Sequence, residues 1–320
     1  MKGNIERVAA IMPPPTAGDS SAQLASNPNT QPQLLRKLGT AADCQLRQLV
    51  AGNPNTPLDL LWQLGIDFPE VILANPIFEL LQIEQPHLVA QIPAATLTSL
   101  LQCEGVPKRF MEYAVNQQDY SLWLAVAYNP HTPGELLENL ARKSRAQDRE
   151  LIRAVAAHPN TPTHVLAQIV NIGGNVAQIV ATNLQTPVPI LEQILRKYGQ
   201  SSDPTFATLI ALHPQIAVQL LIQMNLAPSD AAARSLWLAK QSATDADTLG
   251  KLAATDWHVL HLAIVRHPNT PSQTIDLIWH KMVAARTECP LMDRLIYDSF
   301  VINAHTSAQL REELRKLLKW

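Results

Sequence analysis

Charged residues are scarce in this chain of 320 residues: Asp, Glu, Lys and Arg make up 16% of it, against about 25% in an average soluble protein. The formal net charge is only −2, and no basic block occurs, which argues against nucleic acid as the main partner. No apolar run approaches the ~18 residues that a membrane-spanning helix needs. We therefore expect no nucleic-acid and no membrane partner.

Cysteine and glycine are also rare. The three cysteines, Cys44, Cys103 and Cys289, lie far apart in the sequence, so the chain suggests neither a disulfide framework nor a zinc knuckle. The N-terminal residues contain no apolar core of a secretory signal, and we expect a cytoplasmic protein. Glycine (11 residues) is outnumbered by proline (24 residues), which favours defined turns over flexible linkers.

Sequence motifs of catalysis are missing. Neither a Gly-x-Ser-x-Gly elbow nor a His-Glu-x-x-His zinc motif occurs, and Gly173-Gly174 is not part of a phosphate-binding loop. We predict no enzyme activity, no catalytic residues and no cofactor. His258 and His261 could share a helix face near Asp256, but a metal site needs three converging ligands. We favour the interpretation that these histidines bind no metal.

What the chain has in abundance is the phrase Asn-Pro-Asn-Thr-Pro. Weaker copies begin at residues 27, 183 and 213, and degenerate ones at 75, 92, 241 and 303, with a spacing of roughly 22 to 30 residues that is typical of helical repeats. Residues 104–118 are the least repeat-like interior stretch. The four strong copies are Asn53-Pro54-Asn55-Thr56-Pro57, Asn129-Pro130-His131-Thr132-Pro133, His158-Pro159-Asn160-Thr161-Pro162 and His267-Pro268-Asn269-Thr270-Pro271.

Each copy predicts the end of one helix and the start of the next. Proline at the second position cannot extend a helix and moves the residue before it out of the helical region. Threonine before proline predicts an N-cap whose hydroxyl accepts a hydrogen bond from the first turn, and Glu135 could close a capping box on Thr132. The asparagines are interpreted as local turn formers rather than a binding ladder. The predicted structural residues are Asn53, Pro54, Thr56, Asn129, Pro130, Thr132, His158, Pro159, Thr161, His267, Pro268 and Thr270.

The stretch from Ala125 to Ala141 reads Ala-Val-Ala-Tyr-Asn-Pro-His-Thr-Pro-Gly-Glu-Leu-Leu-Glu-Asn-Leu-Ala. It resembles the unit of the leucine-rich repeat variant (LRV) family, and the resemblance covers most of the chain after residue 22. It implies an all-α protein, a right-handed α-solenoid of about ten short helical hairpins with 3₁₀ and α helices alternating. Some LRV proteins carry a Cys-rich iron–sulfur domain. This chain lacks its cysteines, so we predict no cluster.

The predicted organisation has three parts: a flexible N-terminal leader (residues 1–21), an LRV-like repeat array (22–306) and a C-terminal capping helix (307–320). The last segment carries an apolar stripe of Leu310, Leu314, Leu317 and Leu318 among charged residues. A repeat array needs such a polar-faced end unit. A partner-binding basic helix is the alternative interpretation of this segment.

Together these features favour a non-catalytic protein–protein interaction scaffold or adaptor that binds another protein through an extended repeat surface. The alternative is an enzyme accessory or cofactor-handling protein with a site on the concave face. Trp62 and Trp279 are expected to pack between units. Trp123, Trp237 and Trp257 could instead form part of a binding surface, although core packing is the favoured interpretation for them too.

Overall fold

The computed structural model describes residues 20–145, 148–199, 205–284 and 290–317. Within these ranges all regular structure is helical, as predicted, with 22 α-helices and two short 3₁₀ segments. None of the described helices is both long and apolar enough to cross a membrane. Residues 1–19 of the expected leader, residues 318–320 of the expected capping helix and Cys289 lie outside the described residues.

The chain divides into two compact units, Met1–Val165 and Leu166–Trp320, and the division falls inside one helix, α12. The helices that begin in the first unit are α1 Ser20–Ser26, α2 Pro32–Gly39, α3 Cys44–Gly52, α4 Leu58–Leu64, α5 Pro69–Ala74, α6 Pro76–Glu84, α7 Ala94–Leu101, α8 Lys108–Asn116, α9 Tyr120–Tyr128, α10 Gly134–Lys143, α11 Arg149–Ala157 and α12 Thr163–Ile169.

Successive helices of the first unit pair as hairpins, and the hairpins stack. The odd-numbered helices α1 to α11 pack each against the next odd-numbered one, so they form a continuous layer. The even-numbered helices lie beside them, with α2 against α4 and α8 against α10. Each hairpin therefore buries its apolar faces mainly against its neighbours, as repeat units do.

The second unit continues the same alternation. Its helices are α13 Asn175–Thr182, α14 Val188–Tyr198, α15 Thr205–Leu212, α16 Val218–Gln223, α17 Asp230–Lys240, α18 Ala246–Leu252, α19 His258–Arg266, α20 Ser272–Ala284, α21 Pro290–Ile302 and α22 Ala308–Leu317. Helix α19 packs against α17, α21 and also α15. Before α13 the chain turns through Gly173 and Gly174, whose φ angles of 80° and 54° suit glycine alone.

The repeated phrase lies where it was predicted, between the two helices of a hairpin. The helix before each strong copy ends at Gly52, Tyr128, Ala157 or Arg266, and the next residue, Asn or His, has an extended ψ of 119° to 132°. Proline in the following position accounts for this ending, because it disfavours helical ψ at the residue before it. The prediction of a helix stop is confirmed.

In the layer of odd-numbered helices, the residue three positions before most turns belongs to the buried core. It is an aliphatic or aromatic side chain with no exposed area in most units, at Val50, Ile72, Leu100, Val126, Val155, Val180, Ile210, Ile264 and Phe300. The next residue is often alanine, whose small side chain lets the following turn approach the helix end closely.

Two details of the sequence interpretation are wrong. The first helices of the described hairpins are α-helices rather than 3₁₀, and 3₁₀ geometry occurs only at Leu88–Gln91 and Val170–Ile172 among the described residues. The degenerate copy assigned to Ile92–Thr96 does not join two helices of one hairpin. It leads into α7, the first helix of a hairpin, where Thr96 Oγ1 donates to the Trp62 carbonyl at 2.7 Å.

Aromatic side chains link consecutive second helices in the first unit. The rings of Trp62 and Phe78 lie edge to face at 6.3 Å, and those of Phe78 and Phe110 at 5.9 Å. In the second unit Trp279 meets Phe300 in the same way at 5.3 Å. Trp62 and Trp279 are buried, so the prediction that they pack between units is confirmed.

The last described helix, α22, agrees with the predicted C-terminal amphipathic segment. Leu310 and Leu314 are buried, and the exposed residues around them, such as Glu312 and Glu313, are charged. At the other end, α1 begins at Ser20 and thus includes the last two residues assigned to the leader.

Candidate functional site

The first residue of each turn makes two kinds of hydrogen bond. At Asn53, the side-chain oxygen Oδ1 accepts from the Asn55 amide at 2.9 Å, which is the local turn chemistry expected of asparagine. The side-chain nitrogen Nδ2 points the other way. It donates to the carbonyls of Ala25 and Asn27 in the preceding hairpin, at 2.7 and 2.8 Å.

This cross-hairpin pair of bonds recurs, and we call the series the turn ladder. Its other asparagine members are Asn75 to the carbonyls of Ala51 and Asn53, Asn129 to those of Leu101 and Cys103, and Asn303 to those of Val265 and His267. The sequence interpretation of purely local asparagine bonding is therefore incomplete. The carbonyls at a helix end lack intrahelical partners, and the next hairpin supplies them.

A second series starts from the third residue of the turn. Asn55 Nδ2 lies 3.2 Å from the Thr30 carbonyl of the preceding hairpin, and Asn160 Nδ2 lies 3.0 Å from that of Thr132. The equivalent bonds of the second unit join Asn269 to Thr244 and His305 to Thr270, while Gln215 donates to Leu184, the second residue of the preceding turn. Both conspicuous asparagines of the phrase are thus used within the protein.

The threonine of the phrase does not cap the following helix, and this prediction is wrong. Thr132 Oγ1 donates to the carbonyl of Val126 at 2.5 Å, so it satisfies the end of the helix before the turn. Its backbone amide donates to the Asn129 carbonyl, which leaves no capping box for Glu135. The same bond to the residue six positions earlier is made by Thr30, Thr56, Thr161, Thr186, Thr244, Thr270 and Thr306.

The N-cap of the second helix is the fifth residue of the turn, one position later than predicted. Pro57 and Pro133 hold this position with extended backbone and make no side-chain cap bond. In the turn that begins at Gln241, Asp245 replaces the proline, and its carboxylate accepts from the Thr248 amide at 2.8 Å. Its pKa is lowered by this hydrogen bonding.

Three histidines take the asparagine position, and their rings reproduce both of its roles. Nδ1 of His158 accepts from the Asn160 amide at 3.0 Å, while Nε2 contacts the Asn129 carbonyl at 2.8 Å. Because Nδ1 is an acceptor, the ring is the neutral tautomer with hydrogen on Nε2. His213 and His267 bond in the same manner.

These neutral rings predict acid sensitivity. Burial lowers the pKa of His158 and of His213 below their ordinary value of 6.5. The unfolded chain then binds more protons than the folded chain below pH 6.5, so stability is complete above that pH and falls as the pH drops toward the lowered pKa. Between pH 7.5 and 5.5 we expect a loss of about 0.5 to 1 kcal/mol per histidine, measured by urea unfolding.

The matched control for this prediction is His158→Asn, since asparagine makes the same bonds in other turns and does not titrate. The variant should keep the stability of the parent at pH 7.5 and lose less of it at pH 5.5. An equal acid loss in parent and variant would contradict the assignment.

Lys240 replaces the ladder donors of one turn in the second unit. Its ammonium Nζ donates to the carbonyls of Ala211, His213 and Ile216 at 3.1, 2.7 and 2.9 Å. These are the acceptors that asparagines of the first and third turn positions use elsewhere. One side chain with three donors therefore serves both series. Burial lowers its pKa to about 8.

The turn ladder is interrupted in the first unit, at a turn that the sequence interpretation missed. Cys103-Glu104-Gly105-Val106-Pro107 joins α7 to α8, and Asn129 donates to its carbonyls as Asn53 does to those of the turn at Asn27. Residues 104–118 are thus an ordinary part of the array. The signal was present: Val106-Pro107 resembles Thr-Pro, and the 26-residue separation of Cys103 from Asn129 equals that of Asn27 from Asn53.

The turn at Cys103 lacks the asparagine or histidine donors that other turns carry at their first and third positions. Cys103 stands in the first position, and its thiol Sγ makes only a weak contact of 3.6 Å to the Ser99 carbonyl of its own helix. Gly105 stands in the third position and has no side chain. A Cβ placed there would meet no heavy atom within 4 Å, so the space beside it is open.

A pocket of about 530 Å³ occupies this gap. It is lined by Glu70, Leu73 and Ala74 of α5, by residues 102–105 of the turn and by Pro130 of the next turn. We call this cavity the Cys103 pocket. The described lining side chains include two carboxylates but no lysine or arginine.

The electrostatics of the Cys103 pocket are negative. Burial raises the pKa of Cys103 to about 11, and the charge of Glu70 adds to the rise, so the thiol is protonated at neutral pH. Glu104 is the second lining carboxylate, with one oxygen 3.9 Å from Nε2 of His131. Carboxylates and backbone carbonyls make this a cavity rich in acceptors.

An exposed tyrosine, Tyr128, lies two residues before Pro130, which lines the pocket. Tyr128 precedes Asn129 on α9 as Gln102 precedes Cys103 on α7, and these two helices pack against each other. Its side chain is 58% exposed, and its hydroxyl lies 3.4 Å from the Glu150 carboxylate. Partial burial and the Glu150 charge raise the pKa of Tyr128. We call the Cys103 pocket together with Tyr128 and Glu150 the Cys103 surface.

The histidine candidates from the sequence and Trp237 belong to the second unit. His261 is buried, with Nε2 2.6 Å from the Thr255 carbonyl, and burial lowers its pKa. His258 is exposed, and its ring meets that of His261 edge to face at 6.4 Å. In the part of the chain that the structure describes, no three His, Cys, Asp or Glu side chains converge as metal ligands. Trp237 is 40% exposed on α17.

Comparison of the chain with protein-family models, with curated proteins and with solved structures found no match.

Proposed function

We propose that this chain is a non-catalytic protein-interaction scaffold and that the Cys103 surface is where a partner protein binds. The observation that carries the proposal is an open pocket of about 530 Å³, together with a tyrosine that is 58% exposed two residues before Pro130 of its lining. Tyrosine is enriched among residues that dominate binding energy, and pockets beside such residues accept anchoring side chains.

The hydrogen bonds of the turns support this choice of surface. The repeated asparagines, histidines and threonines are occupied by backbone groups of their own hairpin or the one before it. Partner recognition would therefore use residues that vary from unit to unit, such as Tyr128 and Gln102. We propose a cytoplasmic setting and a protein partner, rather than nucleic acid or a membrane.

Site-specific photo-crosslinking tests the proposal. A photoreactive benzoylphenylalanine in place of Tyr128 is expected to crosslink a specific protein in an extract of the native cell. The matched control places the same group at Ile83, which is 77% exposed on the second helix α6. Tyr128→Ser should reduce co-purification of the crosslinked protein about tenfold or more, as loss of a central anchor does.

Two results would contradict this function. One is the absence of a protein adduct at position 128 when the chain is folded. The other is a set of adducts that is the same at positions 128 and 83, which would indicate nonspecific contact.

A further inference from the structure

We propose that the Cys103 pocket receives an arginine side chain of the partner protein, which supplies the hydrogen bonds that the turn ladder lacks at this turn. The inference rests on the proposed function, because it identifies the chemistry of the partner at the same surface. Its basis is the gap in the ladder, the open volume in that gap and the charge of the residues around it.

The first step is the position of two carbonyls that receive no side-chain donor from the turn at Cys103. Every ladder asparagine donates to the carbonyl of the first residue of the preceding turn and to the carbonyl two residues before it. For the turn at Cys103 those carbonyls belong to Asn75 and Leu73. The Cys103 thiol bonds elsewhere, to Ser99. The Asn75 carbonyl accepts from the Phe78 amide at 2.9 Å and keeps a second lone pair, and Leu73 lines the pocket. A donor from outside the chain would therefore meet acceptors in the register that Asn side chains use at other turns.

The second step is room. The third position of the turn, where Asn55 and Asn160 donate in their hairpins, is Gly105, and no atom fills the place of its missing side chain. The resulting volume of about 530 Å³ is that of a small-molecule pocket. It is large enough for the end of a long side chain.

The third step is charge. Glu70 and Glu104 both line the pocket, on α5 and on the turn after α7. An arginine guanidinium carries five N–H donors in a planar fork, which can serve carboxylates and carbonyls together, and it is less strongly hydrated than an ammonium group. Its methylene stem would pack against the apolar side chains of Leu73 and Pro130. An ammonium has three donors, and Lys240 uses all three on carbonyls of the turn before it. The five donors of a guanidinium can serve the carbonyls and a carboxylate together.

The test uses the full chain and short blocked peptides, Gly-Ser-Arg-Ser-Gly and the same sequence with citrulline or lysine in place of arginine. Citrulline keeps the shape of arginine and removes its charge. Binding is followed by saturation-transfer NMR, and variants of the chain locate it. We expect the arginine peptide to bind with a Kd on the order of 1 mM, as a single anchoring residue does.

Variants locate the binding. Glu70→Gln together with Glu104→Gln should weaken the arginine peptide by about tenfold, because charge-assisted bonds become neutral ones. Glu79→Gln, a change of the same kind at an exposed position on α6 outside the pocket, should leave binding unchanged. Cys103→Asn should restore the ladder donor, abolish binding and keep or raise the thermal midpoint, so a loss of binding is not a loss of fold.

The inference is overturned if citrulline and arginine peptides bind equally, if Glu79→Gln weakens arginine binding as much as the double glutamine variant does, or if Cys103→Asn still binds. If the lysine peptide bound as tightly as the arginine peptide, the pocket would be a general cation site, and the assignment to arginine would be contradicted. Crosslinking at position 128 that survives Cys103→Asn would remove the arginine anchor and leave the scaffold function standing. If the arginine peptide binds but no protein adduct forms at position 128, the arginine site would stand and the scaffold function would be contradicted.

Discussion

Asn129→Ala is expected to lower the free energy of unfolding by about 3 to 5 kcal/mol, because it removes three hydrogen bonds at a buried position. The lost bonds join its Nδ2 to the carbonyls of Leu101 and Cys103 at 2.6 and 2.9 Å, and its Oδ1 to the His131 amide at 2.9 Å. The side chain is 1% exposed, so water cannot readily replace these partners.

Urea unfolding of the full chain measures the loss, and hydrogen exchange of the His131 amide localises it. Asn129→Asp is the closest control in shape, since it keeps the acceptor and removes the donors, and it should retain protection of the His131 amide. Asn129→His should cost less than alanine, because His158 makes a ring bond to the preceding turn and accepts locally. An alanine variant within about 1 kcal/mol of the parent would show that the ladder bonds add little to stability.

Phe78→Ala is expected to cost about 3 to 5 kcal/mol, the range for removing a buried aromatic ring and leaving a cavity. Phe78 is 1% exposed and lies between the rings of Trp62 and Phe110, so both edge-to-face contacts are lost at once. Because these rings belong to α4, α6 and α8, the loss should loosen the packing between three successive hairpins.

Phe78→Leu is the control, because it keeps most of the volume, and it should cost less than about 1.5 kcal/mol. Urea unfolding gives the two free energies. Fluorine NMR of the chain labelled with 5-fluorotryptophan should show a shifted Trp62 resonance in both variants. If alanine and leucine cost the same, the lost ring contacts alone would account for the loss of stability, which would contradict the predicted cost of the cavity.

Structural features that depend on residues within about four positions of one another could be predicted from the sequence. Proline at the second position of the phrase ends the preceding helix through a clash with its immediate neighbour, and the helices end at Gly52, Tyr128 and Ala157 as expected. The apolar stripe of the last helix likewise depends on local spacing, and Leu310 is buried. Local sterics and periodicity were sufficient for these features.

The role of threonine could not be predicted from the same local pattern. A hydroxyl can donate or accept, and Thr132 lies between a helix end with unpaired carbonyls and a helix start with unpaired amides. The structure assigns it to the helix end. Proline takes the N-cap position with its fixed φ, which moves the start of the next helix beyond the reach assumed for the hydroxyl.

The cross-hairpin bonds were beyond local reasoning, because donor and acceptor are 26 to 28 residues apart at Asn53. The Cys103 pocket was missed for a related reason. It exists because one turn lacks its donors, and that turn could be recognised only by aligning Cys103 with asparagine, a residue of different chemistry. The sequence pattern instead assigns this unit's copy of the phrase to Ile92, which gives the wrong register for the unit.

The turn ladder has a direction. Each turn donates from its side chains and accepts on its main chain, so the ladder bonds of a unit require no particular side chain in the turn of the unit before it. The turn at Cys103 has lost its donors and still accepts from Asn129. A hairpin could therefore be duplicated, deleted or exchanged during evolution without matched substitutions in its neighbour's turn. Such an array can change its length and specialise one unit for binding while the remaining turns keep their original bonding.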